Sequence, residues 1–329
     1  MPLDHYIPQV HLKNFYSPSL GDRMYAIRKT DLRAFTPNSR SVCRIMDGST
    51  NAYLRENRVL EEFLKTVEPK YNAALEKLTA GKIDSECIYA IAGFVSYVIA
   101  CSPAGMRIQS GPLKSADETQ AAMMDTKGLF PPPPAVLGSS TLTELLKNGL
   151  VEVPIDPKYP QAIGISSILR FVAIFGNSTW EILYNDSAES PFFTSDFPAA
   201  IEKADDPSIP NRIVPLAPSL ALRIKPNPLL NQDQLDSSFK NFGLRKRNVS
   251  DEELTKLNRL IVRCAEDTVF YRDDYPWVRP FVEKNRHYRI EPYTRRTKTP
   301  AGTLLVSTQR IVAGIQPQAS QNGLSAWTT

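Results

Sequence analysis

The run Ile88–Cys101, IYAIAGFVSYVIAC, constrains the fold of this chain more than any other stretch. It contains no charged residue, so a helix built from it is apolar on every side. It falls short of the roughly 20 residues that cross a bilayer, and Ser102-Pro103 ends it. The spacing predicts a buried helix, begun at Ser85, and no membrane partner is expected.

At 329 residues the chain exceeds the usual domain length of roughly 100–200 residues, yet about 250–300 residues can share one core. The expected fold is α+β: a helix-rich single large domain over 1–299, with a small β-sheet carrying the FFTSDFP loop. A proline-rich insertion is expected at about 110–150, and a polar Thr/Ser/Gln/Gly tail over 300–329. The 42% hydrophobic and 22% charged content supports a core and argues against wholesale disorder. Cys43, Cys87, Cys101 and Cys264 lie far apart without paired spacing, which disfavours a zinc site or a disulfide scaffold. Reduced thiols in a cytoplasm fit this pattern, and Asp4 and Pro8 stand where an export signal needs basic and apolar residues.

Along the chain, Tyr25 and Ile27 predict a short strand or hairpin. Leu60, Leu64, Val67, Tyr71, Leu75 and Leu78 form a helical stripe that Pro69 divides into two abutting or sharply kinked helices. GMRIQSGPLKSADETQ, starting at Gly105, reads as a polar connection, and Pro131–Pro134 as a stiff polyproline segment. Ile165–Leu183 fits helix and buried strand equally well. PFFTSDFPAAIE predicts a buried strand entering a polar turn, and NRIVPLAPSLALRI a pair of strands broken at Pro215 and Pro218. SDEE at Ser250 is a capping box that opens a helix expected to run to about Tyr271.

Several polar groups are candidates for chemistry. His5 titrates near neutral pH and stands before Gln9 and Lys13, which share a helix face if Pro8 starts that helix. Alternatively, His5 caps or packs the N-terminus. Ser195 and Asp196 fall at a strand end, where a carboxylate serves as a general base or simply bonds its own turn. Asn258 lies inside an apolar stripe and needs a specific partner, either a loop backbone or a ligand. Glu61 and Glu68, seven residues apart, suit acid/base work or a divalent metal, or else a solvated helix flank. Arg245, Lys246 and Arg247, and Arg289, Arg295 and Arg296 with Tyr288 and Tyr293, suit phosphate contact and base stacking. Glycine-rich phosphate loops, Gly-x-Ser-x-Gly elbows and His-Glu-x-x-His motifs are missing, so nucleotide hydrolysis, ordinary serine hydrolysis and zinc proteolysis lose their usual support.

HYIPQVHLKNF at 5–15, the Leu60–Glu68 helix, FFTSDFPA at 193–200, VPLAPSLAL at 214–222 and NRLIVRCAEDTVF at 258–270 occur in one order. In these segments the chain resembles the mainly bacterial domain of unknown function 4238 family. The resemblance implies that His5, Pro8, Gln9, Ser195, Asp196 and Asn258 are signature positions, with Glu61 and Glu68 as an acidic pair. It implies no activity. Phe197 departs from the family's Ser-Asp-Asn-Pro pattern.

These observations lead to two expectations. In the first, a cytoplasmic enzyme acts on a phosphodiester, most readily RNA, with His5 and Asp196, Glu68 or Glu61 as acid and base, Gln9, Lys13, Ser195 and Asn258 holding substrate, and a divalent metal as an optional cofactor. In the second, a non-catalytic nucleic-acid- or protein-binding regulatory module uses the same polar residues to lock its N-terminus. A toxin or defence effector is a cellular role open to the enzyme.

Overall fold

A computed structural model describes residues 3–314 apart from 132–133, 135, 137–140, 188, 207–208, 232–234 and 301. The N-terminal part runs β1 (Leu3–His5), α1 (Gln9–Lys13), β2 (Tyr25–Arg28), β3 (Ala34–Phe35), β4 (Arg44–Met46), α2 (Val59–Val67), α3 (Tyr71–Ala80) and α4 (Ser85–Cys101). A 3-10 turn over Glu68–Lys70 joins α2 to α3, as Pro69 dictates. Then follow α5 (Pro103–Thr126), α6 (Leu142–Lys147), α7 (Lys158–Ser166), α8 (Ile168–Gly176), β5 (Thr179–Tyr184), β6 (Thr194–Ser195), β7 (Ala200–Glu202), β8 (Asn211–Ala217), β9 (Leu220–Lys225) and β10 (Gly243–Asn248). The chain continues with α9 (Asp251–Cys264), β11 (Thr268–Tyr271), α10 (Val278–Asn285), β12 (Tyr288–Thr299) and β13 (Gly302–Ala313).

The architecture is α+β. Helix α4 is buried along its length, capped by Asp84, whose carboxylate accepts the Cys87 amide at 2.8 Å, and packed by α3, α5, α7 and α8. One sheet has the order β10-β5-β9-β8-β7, with β10 parallel to β5 and the other pairs antiparallel. A second, antiparallel sheet, β3-β2-β11-β6, carries the FFTSDFP segment on its edge strand β6. Short β1–β4 and long β12–β13 pairs complete the strands. No single helix among the described residues is long and apolar enough to cross a membrane.

Five local expectations change. The stretch from Gly105 is helix rather than connection: Ser102 caps α5 and Pro103 starts it. Gly105 and Gly111 sit where a Cβ would collide with the Ile99 carbonyl and with Pro292, so these glycines permit close approach instead of breaking the helix. Pro112 lies inside that helix. Strand β8 continues through Pro215, which marks a shift in register, and the break falls at Pro218.

Helix α9 stops at Cys264, short of Tyr271, because the next residues turn extended and join β11. Its capping box is half made: Ser250 accepts the Glu253 amide at 3.3 Å, but the Glu253 carboxylate turns to Arg247 and Arg223. Finally, Gly302–Ala313 forms β13, a hairpin partner of β12, so the polar tail does not begin at 300. Residues 315–329 of that tail, and Pro132 and Pro133 of the polyproline run, lie outside the described residues.

Candidate functional site

The polar centre of the molecule is built around His11, on the first helix. His11 is buried on α1, its ring 5.5 Å from that of Phe15 in the turn beyond the helix and stacked on Phe94 with centroids 4.7 Å apart. Nδ1 lies 2.8 Å from Tyr71 Oη and Nε2 lies 2.9 Å from Thr194 Oγ1. Burial lowers the imidazole to about 3, so it is neutral at physiological pH and both ring nitrogens are satisfied by hydroxyls. Spacing alone sets His11 cleanly beside neither the Gln9–Lys13 face nor the Leu12–Phe15 face, so only its distant hydroxyl partners reveal its place.

His5 ends β1. Its Nε2 bonds the Ser39 carbonyl at 3.1 Å, and its own carbonyl accepts the Tyr97 hydroxyl. Burial, aided by the Arg44 charge, holds the ring below its usual pKa. Ser39 also donates to Gln9 Oε1 at 3.3 Å and accepts from Tyr16 Oη at 2.7 Å, so His5 and Gln9 meet at one serine. Lys13 is exposed.

The FFTSDFP segment is fastened at successive residues. Asn258 accepts the Phe193 amide at 3.0 Å and donates to the Pro191 carbonyl at 2.9 Å. Thr194 meets His11. Ser195 Oγ accepts the Phe197 amide at 3.2 Å, an ordinary local turn bond. Asp196 accepts the amides of Glu266, Asp267 and Thr268, each at 2.8 Å, and so binds the chain just beyond α9 to the end of β6. Phe197 is wholly buried among apolar side chains.

A fully buried lysine completes this centre. Lys29 Nζ donates to the carbonyls of Ala265 at 2.6 Å and Tyr288 at 2.8 Å. Burial draws the ammonium down to about 8 against the attraction of Asp196. Burial also pushes the Asp196 carboxyl up to about 7, opposed by the Asp267 and Thr268 amides.

The structure therefore fastens the FFTSDFP segment through Asp196 and Asn258 on one side and Thr194 on the other; the first helix reaches Thr194 by His11, while His5 has Ser39 as its partner. Glu61 closes an ion pair with Arg58 on an outer turn, and burial raises the Glu68 carboxyl from its ordinary value. Among the described residues no three His, Cys, Asp or Glu side chains cluster so as to hold a metal ion. A recess of about 140 Å³ reaches the Asn258 side of the centre, lined by Ser190, Leu254, Thr255, Asn258, Trp277 and Phe281. A larger apolar groove of about 630 Å³, between α2 and α8, is lined by none of the signature residues.

The basic residues divide. Arg247 grips Glu253 with two hydrogen bonds, 2.5 and 2.6 Å, within a charge network that includes Glu181, Arg223, Glu202 and Lys225. Lys246 reaches the Gly81 carbonyl at the end of α3 at 3.4 Å. Arg289 pairs with Glu291, and Arg296 with Glu118 at 2.8 Å. Arg245 and Arg295 are exposed and have no ion pair among the described residues.

Fold and centre thus define an α+β protein in which a buried polar lock joins the first helix to the FFTSDFP strand. The chain belongs to the family described as Protein of unknown function (DUF4238), whose profile matches residues 4–275. No curated protein and no solved structure matches it.

Proposed function

We propose that this chain is a non-catalytic nucleic-acid-binding regulatory protein whose signature residues hold the fold. The hairpin β12–β13 carries the reading. Arg289, Arg295, Arg296, Lys298 and Arg310 stand there against the single acid Glu291, so the hairpin has a net charge of four, equal to the formal +4 of the whole chain. Concentrated positive charge of this kind neutralises phosphates and releases their counterions. Arg295 and Lys298 have no acid partner among the described residues, which leaves them for that task.

The signature residues support the non-catalytic side of the proposal. His5, Asp196 and Asn258 direct their polar atoms to backbone groups at 2.8–3.1 Å, an arrangement that stabilises loops. A general acid and base need a common substrate within reach, and His5 and Asp196 have separate partners. A bacterial cytoplasm, with its reduced thiols, is the setting this reading takes, and a defence role is open to it.

Titration of labelled RNA and DNA oligonucleotides into the full chain tests the proposal. Binding should weaken steeply as salt rises, and the pair Arg295→Glu with Lys298→Glu should reduce it at least tenfold. Failure to bind either polymer at low salt would sink the proposal, as would cleavage that disappears in His5→Ala.

A further inference from the structure

We infer that the hairpin takes single-stranded nucleic acid, laid across the face it turns away from α5. This rests on the nucleic-acid reading above and narrows it to a substrate class.

The ribbon lies lengthwise on a helix. Arg107 near the start of α5 donates to the Ile290 carbonyl at 3.0 Å, Pro292 occupies the space that a Gly111 side chain would need, and Arg296 reaches Glu118 at 2.8 Å and the Ser115 carbonyl at 3.5 Å. Contacts thus progress along helix and strand together. Side chains alternate between the faces of a strand, so with Pro292 and Arg296 toward α5, the residues Tyr293, Arg295 and Thr297 face away, while Arg289 and Glu291 at the near end pair with each other and Glu291 also meets Arg107. Cross-strand register adds Leu304, Val306, Thr308 and Arg310 to that outer face.

The major groove of an RNA duplex is too narrow for side chains to read, whereas a two-stranded ribbon backed by a helix can still turn its free face to the major groove of B-form DNA. The free face here is an open, basic platform, and its aromatic group argues for unpaired bases.

Tyr293 supplies the aromatic group such a platform needs. The residue is 39% exposed, and the Arg310 guanidinium lies over one face of its ring, 4.4 Å from the centroid, so a base stacks on the other face or displaces the arginine to a phosphate. Arg295 follows two residues on, about 7 Å along the same face. Alternation of an aromatic surface with cations is how single strands are held: bases stack on the ring and phosphates meet the arginines. Duplexed bases have their faces covered and cannot use Tyr293.

Fluorescence anisotropy on the full chain tests this, with 12-nucleotide RNA and DNA single strands and the matching duplexes at one salt concentration. Both single strands should bind more tightly than their duplexes, and a preference between RNA and DNA would identify the favoured polymer. Tyr293→Ala should weaken single-strand binding roughly fivefold to a hundredfold while Tyr293→Phe retains it. The salt slope should be unchanged by Tyr293→Ala but shallower by about 0.7 in Arg295→Gln. Thermal melting would verify that each variant is folded. Duplexes bound as tightly as single strands, or a folded Tyr293→Ala that binds normally while the Arg295→Glu, Lys298→Glu pair does not, would overturn this inference and leave the nucleic-acid reading standing. No binding at all would remove both.

Discussion

His11 and Thr194 stand 183 positions apart in the sequence, and Nε2 of the one lies 2.9 Å from Oγ1 of the other. Tyr71 holds the opposite ring nitrogen, so one neutral imidazole ties the first helix to both the α3 helix and the FFTSDFP strand. A protonated ring would have two donors here and no water to solvate its charge.

Acid should therefore loosen the fold through His11. The ring is held at about 3, below the ordinary 6.5, so between these values the unfolded chain takes up a proton that the folded chain refuses. Stability present above pH 6.5 should fall by about 1.4 kcal/mol per pH unit as pH drops toward 3. Urea midpoints at pH 7.5, 6, 5 and 4 would measure it. In His11→Gln the starting stability should be lower and the slope between pH 6 and 4 flatter; an unchanged slope would refute the assignment.

Asp196 should be a stability residue. Asp196→Ala leaves the amides of Glu266, Asp267 and Thr268 without acceptors and Lys29 without the carboxylate that most favours its charge. Loss of a buried charged partner costs about 3–5 kcal/mol. Lys29→Met combined with Asp196→Ala should cost less than the sum of the two, which a double-mutant cycle by chemical denaturation would detect.

Asn258→Ala should cost about 1–3 kcal/mol, since it orphans the buried Phe193 amide and the Pro191 carbonyl. Hydrogen exchange at Phe193 would accelerate in this variant. If exchange there stays at the wild-type rate, the side chain does not hold the strand.

Gly111→Val would drive a side chain into Pro292 and separate the hairpin from α5. Overpacking of this kind costs about 1–3 kcal/mol. Faster exchange should appear in β12 and β13 while the amides of α4 remain protected.

His5→Ala and Glu68→Gln, by contrast, should alter nucleic-acid affinity by less than twofold, with His5→Ala costing about 1 kcal/mol for its bond to Ser39. Parallel anisotropy and melting measurements would separate the two effects.

The elements most legible in the sequence are those whose packing is decided locally. Ile88–Cys101 is apolar on every side and has to be enclosed, and Pro69 breaks the Leu60–Leu78 stripe wherever that helix lies. The Asn258 partner is foreseeable in kind, because a buried amide demands one. The end of α9 is not: Ala265–Val269 continues the helical stripe, and only Asp196, far back in the chain, captures the amides that redirect it into β11. Likewise, Gly105, Gly111 and Pro112 read as breakers until Ile99 and Pro292 are seen to press against α5. His11 escapes notice for a similar reason, since its two hydroxyl partners come from positions 71 and 194.

Lys29 carries a consequence for synthesis. The two carbonyls that receive its ammonium belong to Ala265 and Tyr288, made 236 and 259 residues after it. A nascent chain therefore has no dry place for that charge until β12 has been synthesised, and contacts of such long separation form slowly. Until then the amino-terminal segment stays in water, solvated and undocked, so closure around Lys29 follows the making of β12.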